Sequence, residues 1–91
     1  MFRIEFTEGA EKEFEKLDGS VRLQVLKALA KRAENPVVPA SRLSGSNGSL
    51  FRIKFRDAGL RLIYKVYEEE ILILVLTIGR REDGEVYKNL N

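Results

Sequence analysis

The 91 residues suffice for one small domain, 1–91, and leave no room for a second core. A hydrophobic share of 44%, a charged share of 33% and a net charge of +2 describe a folded globular chain. So small a net charge does not by itself point to nucleic acid. Cysteine and histidine are both missing from the sequence, which removes disulfides, thiolate metal sites, the ordinary zinc ligands and the usual neutral-pH general base.

The chain begins Met-Phe-Arg-Ile-Glu, without the apolar core of a secretory signal. The longest apolar run, Ile71 to Ile78, is far too short to span a bilayer. The expectation is a cytoplasmic protein without a membrane partner. Residues 2–6 alternate apolar and charged, as a short strand does. Thr7 is placed to cap a helix whose first turn holds Glu8 and Glu11, suited to the positive end of the helix dipole. Ala10, Phe14 and Leu17 recur at helical spacing. Asp18-Gly19-Ser20 then restarts the chain, with Asp18 or Ser20 as the next cap.

The second helix is expected to run to about Glu34, where Asn35-Pro36 stops it. Its buried stripe reads as Val25, Leu26, Leu29 and Ala33, with Arg22, Lys27 and Lys31 outward. Two helices joined this tightly form a hairpin that lies across a sheet. Residues 37–49 are rich in Pro, Gly and Ser and read as loop, with a brief turn near Arg42-Leu43. Strands follow at 50–56, 60–67 and 71–78, with turns at Asp57-Ala58-Gly59 and Glu68-Glu69-Glu70. Ile71 to Leu76 shows no alternation, which suits a strand that is central or covered on both faces. The predicted fold is α+β. It runs strand, helix, helix and a three-strand meander, giving a twisted, mainly antiparallel sheet with a helical hairpin on one face.

The strand Leu50–Arg56 carries the functional signal. Phe51, Ile53 and Phe55 alternate with Arg52, Lys54 and Arg56, so one face is apolar and the other cationic. Aligned cations repel one another, and no acidic residue lies among residues 51–56 to relieve them. Arg61 and Lys65 on the next strand, and Arg80 and Arg81 after the last, extend the basic set. Such a face fits a polyanion. The competing structural reading is a solvated sheet face, and taken singly Arg56 and Lys65 read as solubilising. Tyr64 reads as core, and Tyr87 alone would be an anchor for the C-terminal segment.

Over nearly its whole length the sequence resembles the RelE-type toxins of bacterial toxin–antitoxin pairs. The resemblance is carried by IEFTEGAEKEFEKLDGSVRLQVLKAL ending at Asn35-Pro36, and by the Leu43-Ser44-Gly45 turn. It continues through Gly59-Leu60-Arg61-Leu62-Ile63-Tyr64, Gly79-Arg80-Arg81 and Glu85-Val86-Tyr87. The resemblance implies a ribosome-dependent endoribonuclease that cuts mRNA in the ribosomal A site without metal or cofactor. The RNA 2′-hydroxyl attacks the adjacent phosphate. It also implies a RelB-like antitoxin, with ribosome and mRNA as the other partners.

By position, the family's active residues fall on Arg52, Lys54, Arg61, Arg81 and Tyr87, with Arg56, Lys65 and Arg80 as further RNA contacts. The chemistry agrees with the residue types. Arg61 suits the non-bridging oxygens, which a guanidinium grips in bidentate fashion. Lys54 is the candidate for proton abstraction, because neighbouring cations favour the neutral amine. Arg81 would steady the leaving 5′-oxygen, and Tyr87 would stack on a base or bind the 2′-hydroxyl. Position 52 departs from the family pattern, with arginine where lysine is familiar, so a base role there is disfavoured. Leu60 also replaces an aromatic ring common in relatives. Two rival readings remain: a ParE-type toxin, which shares the fold and poisons DNA gyrase without cutting RNA, and an inert binding module.

Overall fold

The computed structural model describes residues 1–44 and 48–80. Strand β1 (Arg3–Phe6) leads into helices α1 (Glu8–Glu15) and α2 (Gly19–Glu34). A 3-10 turn at Pro39–Ser41 follows, then strands β2 (Leu50–Phe55), β3 (Leu60–Tyr67) and β4 (Leu72–Arg80). The strands form one sheet in the order β1-β4-β3-β2. The meander pairs antiparallel, β2 with β3 and β3 with β4, whereas β1 joins β4 in parallel. The α+β architecture and mainly antiparallel sheet are those expected. No helix among the described residues is long and apolar enough to cross a membrane.

Local chemistry explains the start of the fold. Ile4 and Phe6 of β1 turn inward, while Arg3 and Glu5 stay exposed and pair with each other at 2.9 Å. Thr7 caps α1 as expected: its hydroxyl accepts from the Ala10 N–H at 3.1 Å and donates to the Leu76 carbonyl at 3.1 Å. One side chain thus satisfies a helix end and ties it to β4. Thr7→Ala is expected to destabilise the protein by roughly 1 kcal/mol, measurable as a lower urea midpoint with unchanged slope. Phe14 of α1 meets Phe6 with ring centroids 5.3 Å apart. Asp18 occupies the N-cap of α2 without a side-chain cap bond.

The buried stripe of α2 is narrower than expected. Val25, Leu29 and Ala33, spaced by four residues, are buried, but Leu26 is 48% exposed and Leu23 53%. A step of one residue rotates a side chain by about 100°, and the sheet covers only the line through 25, 29 and 33. The end of α2 is tied to the start of the chain where the Phe2 N–H donates to the Ala33 carbonyl at 2.8 Å.

Two strand limits also shift. The second turn includes Ile71, which has φ 52° and is 51% exposed, so β4 begins at Leu72. At its other end β4 continues through Gly79 and Arg80, which pair with Arg61 and Leu60. The turn expected at Arg42-Leu43 falls at Pro39–Ser41 instead, and Arg42 forms an isolated bridge to Phe51. β4 is a central strand, as its unbroken apolar run suggested. The core forms between the helices and the sheet, from Ala10, Val25, Leu29 and Ala33 against Phe51, Ile53, Leu62, Tyr64, Val66, Ile73, Val75 and Ile78.

Candidate nucleic-acid interface

Antiparallel pairing decides which cations meet. Residues directly opposite each other share a face, with Cβ atoms about 5 Å apart. Lys54 stands opposite Arg61 and Arg52 opposite Ile63, while Leu50 faces Lys65. On the other side of β3, Arg61 pairs with Gly79 and Ile63 with Thr77. Arg52, Lys54, Arg61 and Lys65 therefore lie on one face, and Gly79 places no side chain beside Arg61.

Lys54 is exposed, while Arg52 and Arg61 are half-buried. This face is less uniform than the sequence suggested. Ile63, fully buried, sits between Arg52 and Thr77. Farther along the face, Lys65 Nζ lies 4.9 Å from the centroid of the Tyr67 ring and is engaged there. The only carboxylate that β1 contributes, Glu5, is paired with Arg3 on the opposite edge of the sheet.

One of the expected contacts, Arg80, separates from the others. Arg80 pairs with Leu60, so alternation turns it to the face opposite Arg61. There it lines a groove of about 620 Å³ together with Glu13, Asp18 and Asp57. The adjacent pair Gly79-Arg80 cannot present both residues to one face. Arg56 lies just beyond the end of β2 and is exposed. Arg81 and Tyr87 lie outside the described residues.

β2 is an edge strand, and a cleft of about 260 Å³ opens beside it, lined by Arg52, Lys54 and Arg56 and by Arg32 and Ser41. Arg32 is the residue that sequence reasoning missed. It sits in the last turn of α2, next to the buried stripe at Ala33, and reaches back over the sheet. Its Nη1 donates to the Tyr64 hydroxyl at 2.8 Å and its Nη2 to Ser41 Oγ at 3.2 Å. The Tyr64 hydroxyl in turn donates to the Pro36 carbonyl at 2.7 Å. A signal was present in the sequence: a core tyrosine needs a partner for its hydroxyl, and a cation flanking a buried helical stripe can supply one.

Beneath the cleft, Tyr64 stacks on Phe51 at 5.5 Å and 19°, and the Arg42 guanidinium lies 5.4 Å from the Phe51 ring. Burial pushes the Tyr64 phenol above its ordinary value, and the hydrogen bond and charge of Arg32 partly offset the rise. A raised folded-state value favours the neutral phenol. Its contribution to stability is therefore complete below about pH 10 and is lost as pH rises through the folded-state value. Tyr64→Phe should remove this alkaline loss. It should also lower stability near neutral pH by roughly 1–3 kcal/mol, because the Pro36 carbonyl and Arg32 lose a buried partner. Thermal melts at pH 7 and above pH 10 read both effects.

Residues 4–84 match the family model described as the ParE toxin of the type II toxin–antitoxin system parDE. The mRNA interferase toxin RelE of Escherichia coli (strain K12) is 39% identical over 84 residues, which cover 92% of this chain and 87% of the relative. The crystal structure of the isolated E. coli RelE toxin superposes with a TM-score of 0.85 at 36% identity, covering 97% of this chain and 93% of that one. The toxin in the intact E. coli RelBE toxin–antitoxin complex gives a TM-score of 0.85 at 35% identity, covering 90% and 99%. On these matches, spanning both helices and all four strands, the chain belongs to the ParE toxin family of type II toxin–antitoxin systems and is a toxin of the RelE type.

Proposed function

We propose that this toxin is a ribosome-dependent endoribonuclease that cuts mRNA in the ribosomal A site without a metal ion, and that a RelB-like antitoxin restrains it. The observation that carries the reading is the register of β2 on β3, which sets Lys54 opposite Arg61 with Arg52 two residues along the same face. Cleavage forms a bond from the 2′-oxygen to phosphorus and breaks the bond from phosphorus to the 5′-oxygen. Lys54 takes the 2′-hydroxyl proton. Arg61, and Arg52 beside it, hold the non-bridging oxygens, where charge builds in the transition state more than in the ground state. Arg81 steadies the leaving oxygen and Tyr87 engages the nucleotide. The leaving oxygen takes a proton from water, and the products are a 2′,3′-cyclic phosphate and a 5′-hydroxyl end. A mechanism built on lysine and arginine also fits a chain without histidine or cysteine.

In vitro translation followed by primer extension on the message tests the reading. Cuts in phase with codons, leaving 5′-hydroxyl ends, are expected. The ParE description of the matched family keeps one rival in view. Intact message together with inhibited DNA gyrase supercoiling would replace the nuclease with that rival.

A further inference from the structure

We propose that Arg32 is an RNA contact: the cleft beside β2 binds a backbone phosphate neighbouring the one that is cut. The proposal rests on the nuclease reading above and extends its substrate site around the sheet edge. Arg32, Arg52, Lys54 and Arg56 all line this cleft of about 260 Å³, and none of its lining among the described residues is a carboxylate. A cationic lining of this kind favours an anionic occupant.

Arg32 makes the need specific. It is half-buried, and among the described residues its hydrogen-bond partners are the neutral Tyr64 hydroxyl and Ser41 Oγ. None of the ion pairs among the described residues includes it. A guanidinium withdrawn from water without a counter-charge is costly, and it has five N–H donors, of which these bonds use two. The same bonds fix its orientation, so little further ordering is required when an anion arrives.

RNA is the occupant that the geometry favours. Arg52 and Lys54 belong to both the cleft and the basic face, so an anion in the cleft is continuous with one held at Arg61. A chain of regularly spaced phosphates meets that demand, with one phosphate on the face and the next at the edge.

The test follows the arginine Nε–H signals of the toxin by NMR while adding a short single-stranded RNA with deoxyribose at the cleavage nucleotide. The Arg32 signal is expected to shift saturably, and less at higher salt. In parallel, Arg32→Gln should raise the KM for mRNA on programmed ribosomes about tenfold, with kcat changed less than twofold. The salt dependence of RNA binding should fall by about 0.7 in log–log slope, the value for one phosphate on a single strand. If the Arg32 signal stays still while those of Arg52 and Arg61 shift, the inference is wrong and the nuclease reading stands. If no arginine signal shifts and programmed ribosomes keep their message intact, both fall. An Arg32 signal that answers to an acidic antitoxin peptide and not to RNA would likewise overturn the RNA contact.

Discussion

Lys54→Ala is expected to slow mRNA cleavage by about a hundredfold or more while the melting temperature stays within a few degrees of the parent. The separation arises because Lys54 is exposed, so its removal leaves no cavity. Lys54 nonetheless pairs with Arg61 across the two strands, beside the place where the developing phosphate charge would sit. Lys54→Arg refines the test. Arginine can hold a phosphate but does not give up its proton near neutral pH, so a base role predicts a rate close to that of the alanine variant. A rate close to the parent would instead leave Lys54 with electrostatics alone. Arg61→Ala should lose activity to a similar extent, but Arg61 is half-buried, so some loss of stability accompanies it. Rates are read by primer extension on programmed ribosomes, and folding by thermal melts of the same preparations.

The largest stability effect is expected at Phe51. Phe51→Ala should cost about 3–5 kcal/mol, a large part of the roughly 5–15 kcal/mol that holds a small domain together. Phe51 is fully buried, stacks on Tyr64 and carries Arg42 over its ring. Truncation would therefore open a cavity and loosen the strand that holds Arg52 and Lys54. Leu26→Ala offers the contrast: Leu26 is 48% exposed, so its loss should change stability by no more than about 0.5 kcal/mol. Urea titrations of both variants test the pair. Equal midpoints would mean that α2 buries a different face from the one described.

Much of this protein follows from patterns confined to one element at a time. Thr7 capping α1, Asn35-Pro36 ending α2 and the alternation through Phe51–Arg56 each depend on residues a few positions apart, and each is realised in the fold. The segments at Gly59–Tyr64, Gly79–Arg81 and Glu85–Tyr87, in their order and spacing with the N-terminal half, point to the family without coordinates. What lay beyond the sequence concerns elements distant along the chain. Alternation assigns Arg61 to a face of β3, but only the register shows Lys54 opposite it on one side and Gly79 on the other. The parallel docking of β1 on β4 has no local signature, because a four-residue strand alternates alike whichever neighbour it takes.

The exposed side of Leu26, the turning of Arg80 away from Arg61 and the approach of Arg32 to the edge of β2 are likewise tertiary outcomes. Local sequence sets which side of its own helix or strand a residue occupies, since backbone geometry repeats every 3.6 or 2 residues. Which side is then covered, and which cations converge, depends on packing between elements tens of residues apart.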